Sequence, residues 1–133
     1  MVCVYCEHKT RVVNSREQKR LRQVWRRRTC KHCNALFTTL EAADLSDTHV
    51  VYDKKGKPQK FSRDTLFMSI VSSLGHRTTA IADANALCGT IIAKLLQDSA
   101  SGTLQRSQII SCTHAVLQNF DSVAATYYSA YYK

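Results

Sequence analysis

The stretch Cys3-Val4-Tyr5-Cys6 has the same cysteine spacing as Cys30-Lys31-His32-Cys33, and 23 residues separate the two pairs. The two-residue gap within each pair lets both thiolates of one tight turn reach the same ion. Two such turns supply four soft ligands, the tetrahedral set that Zn(II) prefers. Four protein ligands leave no open coordination position. The pattern therefore predicts one structural zinc ion held by Cys3, Cys6, Cys30 and Cys33.

Other chemistries use paired cysteines as well: a thioredoxin-like redox pair, disulfides or an iron–sulfur cluster. A redox pair needs one motif at a strand-to-helix junction, and stable disulfides need an oxidising compartment, of which the sequence gives no sign. We therefore favour zinc. The neighbouring His8 and His32 are expected to be bystanders, since four thiolates complete the set. Cys88 and Cys112 lie in apolar helical patterns and are expected to be ordinary buried thiols.

Three short segments around the cysteine pairs are rich in β-branched, aromatic and long polar residues. They cover residues 10–15, 23–28 and 36–40, and each predicts a short strand. A module of about 40 residues cannot build a stabilising apolar core unaided. The strands and the metal are therefore expected to form one small zinc ribbon over residues 1–43.

The net charge of +9 is concentrated in this first module. Residues 1–40 hold ten Lys or Arg and two Glu, whereas the remaining 93 residues are close to neutral. Such asymmetry indicates a basic module that binds a polyanion, and nucleic acid is the leading candidate. The alternative is that these basic residues are only a solvated surface and bind no nucleic acid. The residues predicted to contact DNA are Arg11, Arg16, Arg26, Arg27 and Arg28.

Strand alternation divides these arginines between two faces. In the predicted second strand, Arg26 and Arg28 share a face with Val24, while Arg27 shares the other with Trp25. The planar guanidinium suits phosphate oxygens or guanine in the major groove. The sequence alone does not assign which arginines read bases and which hold phosphates.

Residues 44–133 have a different pattern, predicting a β-hairpin and then four helices. The hairpin spans residues 48–61 and turns near Gly56. Helices are predicted after Ser62, after Thr79, from Ser107 and after Asp121. The fold class is therefore α+β. The side chains predicted to face inward are Leu66, Phe67, Ile70, Val71, Leu74, Ile81, Leu87, Cys88, Ile91, Leu95, Ile109, Ile110, Thr113, Val116, Leu117, Val123, Ala124, Tyr127, Tyr128 and Tyr131.

Composition excludes several classes of function. With 44% hydrophobic and 22% charged residues, the composition is that of a folded soluble protein. The longest apolar run, residues 1–6, is too short to span a membrane, so we expect a cytosolic protein with no membrane partner. The sequence has no Ser/His/Asp set, paired carboxylate site or P-loop, and we expect no enzymatic activity.

Taken together, these motifs resemble the bacterial NrdR repressors, which regulate ribonucleotide reductase genes through a zinc ribbon joined to an ATP-cone. The resemblance in the first half rests on the cysteine pairs and on residues 10–16, 26–30 and 37–41. That in the second half is sparser and rests on Val50-Val51, Gly56, Phe61, Arg63, Leu66 and Val123-Ala124. The resemblance implies a homo-oligomeric repressor that binds a double-stranded DNA operator. It also implies that residues 44–133 form an ATP-cone that distinguishes ATP from dATP. The nucleotide bound would then determine the oligomeric state.

Within the cone, the resemblance implies a nucleotide site formed by Val51, Lys54, Lys55, Lys60 and Arg63. The hairpin departs from the family pattern, because Asp53 stands where a phosphate-facing Lys is usual and Lys55 where an Asp is usual. Beyond Phe61, Thr65 stands where the family often has a Lys. A carboxylate at position 53 is expected to repel a triphosphate.

Two other readings remain open. In one, the ribbon binds nucleic acid and the altered cone serves only as an oligomerisation module. In the other, the chain is an enzyme fragment, since ATP-cones also precede ribonucleotide reductases. A chain of 133 residues has no room for a reductase barrel, so this last reading is the weakest.

Overall fold

The computed structural model describes residues 1–99 and 101–133, and it divides the chain into two compact units, Met1–Ala43 and Asp44–Lys133. The first unit is an antiparallel sheet whose strands follow one another in chain order. Its strands are β1 (Thr10–Gln18), β2 (Gln23–Cys30) and β3 (Leu36–Ala42). A short 3-10 turn, Lys19–Leu21, joins β1 to β2. The three predicted strands are present, each longer than the sequence pattern indicated.

The pairing of β1 with β2 contains one irregularity. Val12 lies opposite Arg28 and Asn14 opposite Arg27, which leaves Val13 without a partner position. This is a β-bulge, in which one extra residue on one strand shifts the alternation of side chains beyond it. Strand β3 pairs with β2 without interruption.

The second unit combines a small sheet with four helices. Strands β4 (Val50–Tyr52) and β5 (Pro58–Lys60) form the predicted hairpin, and β6 (Thr103–Gln105) pairs in parallel with β4. Pro58 begins an edge strand, a position that tolerates its missing N–H. The helices are α1 (Arg63–Ser73), α2 (Ala80–Asp98), α3 (Arg106–Phe120) and α4 (Ser122–Tyr131). The predicted α+β fold class, a small zinc ribbon followed by a hairpin and four helices, is confirmed.

Side-chain caps explain where α1 and α4 begin. Ser62 Oγ accepts a hydrogen bond from the N–H of Thr65 at the start of α1. Asp121 caps α4 by accepting the N–H groups of Val123 and Ala124. Helix α3 begins at Arg106, one residue before the predicted start, and Gln105 is its capping residue.

A charged cluster reinforces the cap of α4. The Asp121 carboxylate also accepts hydrogen bonds from His76 Nε2 (2.9 Å) and from the Arg77 guanidinium (3.2 Å). The His76 bond is the main reason that the pKa of Asp121 falls to about 2. Arg77 also binds Asp83 and lies over the ring of Phe120, with 4.8 Å to the ring centroid.

The core of the second unit confirms most inward-facing predictions, including Ile70, Ile91 and Leu117, all 0% exposed. It also shows four of them to be wrong: Ile81 is 70% exposed, Val123 60%, Tyr127 42% and Tyr131 69%. Each lies next to a helix end or at the border of the apolar stripe, where helical spacing alone assigns the face poorly. Among the described residues, no helix has the length and apolar character needed to cross a membrane.

Candidate metal centre and nucleic-acid interface

The two cysteine turns have the same backbone hydrogen bond. The N–H of Cys3 donates to the carbonyl of His8 at 2.8 Å, and the N–H of Cys30 donates to the carbonyl of Ala35 at 2.9 Å. In both cases the bond closes a loop from a first cysteine to the fifth residue after it. The repeated spacing in the sequence therefore folds into two equivalent turns.

Both turns also reverse through a left-handed residue directly after the second cysteine. Glu7 has φ 61° and Asn34 has φ 57°. Asn adopts this conformation readily, whereas Glu does so at some cost in backbone energy. The reversal turns the two thiols of each pair toward one point.

The four thiols meet at that point. The sulfurs of Cys3 and Cys33 are 3.6 Å apart, those of Cys6 and Cys30 are 3.5 Å apart, and all four lie within 4.8 Å of one another. A tetrahedral zinc ion with four sulfur ligands requires sulfur–sulfur distances of about 3.8 Å. Cys3 and Cys30 are buried, Cys6 is partly exposed and Cys33 is exposed, so water is kept from only part of the centre. The arrangement thus fits a four-thiolate structural zinc.

The electrostatics of the thiols agree with a cation-binding centre. Hydrogen bonding from the Cys33 backbone is the main reason that the pKa of Cys30 is lowered to about 6. The pKa of Cys6 is raised to about 12: the His8 backbone lowers it, but desolvation and the three neighbouring thiols together outweigh that effect. Four sulfurs this close cannot all ionise without a cation, and a bound divalent metal removes that conflict.

His8 and His32 stack on each other beside the centre, with ring centroids 3.6 Å apart and planes 4° apart. His8 Nδ1 also bonds to the carbonyl of Cys6 at 2.8 Å. The two histidines come close to Cys6, yet the four cysteines already form a complete ligand set. The two other cysteines lie in the helical unit, where desolvation raises the pKa of both Cys88 and Cys112.

The ribbon sheet presents two faces with different side chains. Residues opposite each other in neighbouring strands point to the same face. One face, here the Trp25 face, consists of Arg11, Asn14, Arg16, Gln18, Gln23, Trp25, Arg27, Thr29, Leu36, Thr38, Leu40 and Ala42. The opposite face, here the Arg26 face, consists of Thr10, Val12, Ser15, Glu17, Val24, Arg26, Arg28, Cys30, Phe37, Thr39 and Glu41.

The five arginines predicted to contact DNA are therefore not brought together. Arg11, Arg16 and Arg27 lie exposed on the Trp25 face, and the Arg16 guanidinium is 5.9 Å from the centroid of the Trp25 ring. Arg26 and Arg28 lie half-buried on the other face. Sequence alternation anticipated the separation of Arg27 from its neighbours, but the bulge in β1 was not recognisable from the sequence.

Arg26 and Arg28 already have protein partners. Arg26 forms an ion pair with Glu41 of β3. The Arg28 guanidinium donates to the hydroxyl of Thr39 at 3.2 Å and of Thr10 at 3.5 Å. These bonds tie the central strand to both of its neighbours.

In the described part of the second unit, two neighbouring cavities lie beside α3 and α4. The larger, about 780 Å³, is lined by Lys54, Lys55, Arg106 and His114, among others. The smaller, about 240 Å³, has Val51 and Lys60 in its wall. Arg106, Ile110, Tyr128 and Tyr132 line both. The basic residues around these cavities are suited to an anionic ligand.

The residues predicted to form a nucleotide site are split by this arrangement. Val51, Lys54, Lys55 and Lys60 line one cavity or the other, while Lys60 also pairs with Asp47 at 2.8 Å. Arg63 lines neither cavity and instead donates to the side chain of Asn85 at 2.7 Å. Sequence reasoning missed Arg106, since the short strand β6 that precedes it has no recognisable pattern.

Asp53 has a local structural role. Its carboxylate accepts the backbone N–H groups of Lys55 and Lys57, both at 2.8 Å, and so closes the hairpin turn. It also lines the larger cavity, so its negative charge remains close to Lys54 and Lys55.

Comparisons with known proteins agree on one family. A family model described as the N-terminal domain of transcriptional repressor NrdR-like proteins matches residues 1–41. The transcriptional repressor NrdR of Fervidobacterium nodosum is 31% identical over 136 residues, covering 100% of this chain and 86% of that protein. Those of Methylibium petroleiphilum and Leptothrix cholodnii are 30% and 32% identical, and in each case the match covers 100% of this chain and 90% of the relative.

Proposed function

The chain belongs to the NrdR family of transcriptional repressors, and we propose that it represses transcription by binding double-stranded DNA through its ribbon unit. The observation that carries this proposal is the basic sheet built on the four-cysteine centre, within the part matched by the family model. Arginine guanidinium groups can bind phosphates and base edges together. The chain is thus a regulator rather than an enzyme, acting in the bacterial cytosol where the DNA is.

Zinc has a structural role in this proposal. Cys3, Cys6, Cys30 and Cys33 would hold the ion, which would supply the ribbon with the cross-link that a sheet without an apolar core lacks. All four ligands come from the protein, so the centre offers no position for a substrate. The metal determines whether the DNA-binding surface exists.

The second unit acts as a sensor of ATP and dATP in the cavities beside α3 and α4. Lys54, Lys55 and Lys60, predicted from the resemblance, and Arg106 supply positive charge for a triphosphate. The two nucleotides would favour different homo-oligomers, of which one presents its ribbons to DNA. The regulated genes would be those of ribonucleotide reductase.

Two observations favour a second hypothesis, in which the cone only assembles subunits. Asp53 contributes a negative charge to the larger cavity, and Lys60 is already paired with Asp47. Both features weaken the attraction for a triphosphate.

Mass in solution separates these two readings. Light scattering is measured on the full chain without nucleotide, with ATP and with dATP, alongside zinc content. One zinc per chain and different masses with the two nucleotides are the results expected of a sensor. Arg106→Gln should abolish the difference, while Arg22→Gln, an exposed arginine of the ribbon, should leave it intact. Identical masses in all conditions would reject nucleotide sensing and favour the assembly role.

DNA binding has its own test. Fluorescence anisotropy is measured with a labelled duplex taken from upstream of reductase genes and with an unrelated duplex of equal length. Tighter binding to the first supports an operator-binding repressor. No binding to either duplex at low salt, with or without nucleotide, would contradict the proposed function.

A further inference from the structure

Resting on the proposed DNA-binding function, we infer that DNA contacts the Trp25 face of the ribbon and that Arg26 and Arg28, on the opposite face, join neighbouring strands without contacting DNA. Strand alternation in the sequence separates Arg27 from Arg26 and Arg28, but it does not show which of the five arginines contact DNA. The strand register, the hydrogen bonds and the charge of each face distinguish them.

The bulge at Val13 creates the three-arginine surface. Arg11 and Arg16 are five positions apart, so in a regular strand they would point to opposite faces. The unpaired Val13 shifts the alternation, placing Arg11 opposite Thr29 and Arg16 opposite Trp25, both on the Trp25 face. Arg27 of the central strand joins them there. Bulges commonly re-aim side chains in this way at functional surfaces.

The two faces differ in net charge. The Trp25 face carries three arginines and no carboxylate among its paired strand residues, all of which lie in the described part of the chain. The Arg26 face carries two arginines together with Glu17 and Glu41, so its formal charges cancel. A polyanion is therefore attracted to the first face and gains little from the second.

The arginines also differ in their freedom to bind a ligand. Arg11, Arg16 and Arg27 are exposed, whereas the side chain of Arg26 is only 27% exposed and its guanidinium pairs with Glu41. For Arg26 to bind a phosphate, that ion pair would have to break. Arg28 is held by hydroxyl groups of the two neighbouring strands.

Other side chains on the Trp25 face suit base edges. Asn14 lies directly opposite Arg27, so an amide and a guanidinium stand side by side in the middle of the sheet. In the major groove, Asn pairs with adenine and Arg with guanine. Leu40, 61% exposed and opposite Trp25, can contact a thymine methyl group. We therefore assign the recognition of the base sequence to Asn14 and Arg27, and contacts with the DNA phosphates to Arg11 and Arg16.

Two charge-matched double variants test the inference in the full chain. Arg16→Gln with Arg27→Gln removes two positive charges from the Trp25 face, and Arg26→Gln with Arg28→Gln removes two from the other face. Long-range attraction is lowered about equally by both, so the difference between them reports direct contact. Zinc content and far-UV circular dichroism show whether each variant is folded.

Duplex affinity is then measured as a function of salt. The Trp25-face variant should lose about 10- to 100-fold in affinity at moderate salt, and its log K against log salt slope should be shallower by roughly 2. The Arg26-face variant should keep most of its affinity and slope. Equal losses, or a larger loss for the Arg26-face variant, would overturn the inference.

The single tryptophan supplies a second readout that needs no variant. Trp25 is the only tryptophan in the chain and lies on the predicted contact face. Adding duplex DNA to the wild-type protein should change its emission and protect it from acrylamide quenching. Tight binding with unchanged emission and quenching would refute the assigned face and leave DNA binding intact. Failure to bind any duplex would reject the proposed function and, with it, this inference.

Discussion

The ribbon and the helical unit reach stability by different means. In the ribbon, the buried residues are Cys3 and Cys30, and both faces of the sheet carry exposed charges. Among the described residues of the helical unit, 16 buried hydrophobic residues form one cluster. Burial of apolar surface stabilises the second unit as in any small globular domain. The first unit has no such cluster, so metal coordination must take its place. The short length of the module predicts this need for a metal, and the location of the buried side chains agrees with it.

The largest expected effect comes from removing one metal ligand. Cys30→Ser should abolish zinc binding and unfold the ribbon, because structural zinc typically supplies on the order of 10 kcal/mol to such a module. Trp25 emission should shift to the red, while the helical signal at 222 nm persists. The control is Cys112→Ser in α3, which should retain zinc and DNA binding. If the helical signal were lost when the ribbon unfolds, the helical unit would not be stable independently of the metal.

A core substitution should have the converse effect on the helical unit. Ile91 is 0% exposed, so Ile91→Ala should lower the free energy of unfolding of that unit by about 2–5 kcal/mol. Ile81, in the same helix but 70% exposed, provides the matched control and should cost less than about 1 kcal/mol. Urea unfolding followed at 222 nm measures both. Equal costs for the two positions would show that this core does not hold the unit together.

The charged cap of α4 should make the helical unit sensitive to acid. The folded pKa of Asp121, about 2, lies below the unfolded value of about 3.9. Its contribution to stability is therefore complete above about pH 4 and is lost as the pH falls through about 2. Asp121→Asn should lower the melting temperature at pH 6, with a difference from wild type that shrinks toward pH 2.

The matched control for this pH effect is Asp98→Asn, at an exposed position at the end of α2. This variant removes the same charge without touching the cap of α4. Its melting temperature should follow that of the wild type at every pH. A constant deficit for Asp121→Asn from pH 6 to pH 2 would mean that the charge of Asp121 is not what stabilises α4.

The smallest expected effect concerns the turns around the metal. Glu7 has φ 61°, a conformation that glycine adopts without strain. Glu7→Gly should therefore stabilise the zinc-bound ribbon by about 0.5–1 kcal/mol, giving roughly two- to fivefold tighter zinc binding in chelator competition. Asn34→Gly should give a smaller gain, because asparagine tolerates the left-handed region. Weaker zinc binding by Glu7→Gly would indicate that its carboxylate helps to hold the metal.

The elements that sequence predicted well are those with strong local signals. The cysteine spacing predicted the two turns, and the caps at Ser62 and Asp121 predicted two helix starts. Helical periodicity predicted most of the core but failed for Ile81 and Val123, since a residue at the edge of an apolar stripe can face either way.

The features that sequence did not reveal depend on tertiary pairing. Strand β6 has only three residues and exists because it pairs with β4. The bulge at Val13 depends on how β1 pairs with β2, and it places Arg11 and Arg16 on one face. The partner of Arg26, Glu41, is 15 residues away in the chain. None of these has a local signal that a single sequence could display.

Reversible removal of the metal is the direct test of whether zinc maintains the DNA-binding surface of the ribbon. The full chain is treated with a zinc chelator, duplex DNA affinity and Trp25 emission are measured together with the signal at 222 nm, and zinc is then restored. We expect DNA binding to be lost, Trp25 emission to move to the red and both to recover with zinc, while the helical signal stays constant. DNA binding that survives in the metal-free protein would contradict this structural role of zinc.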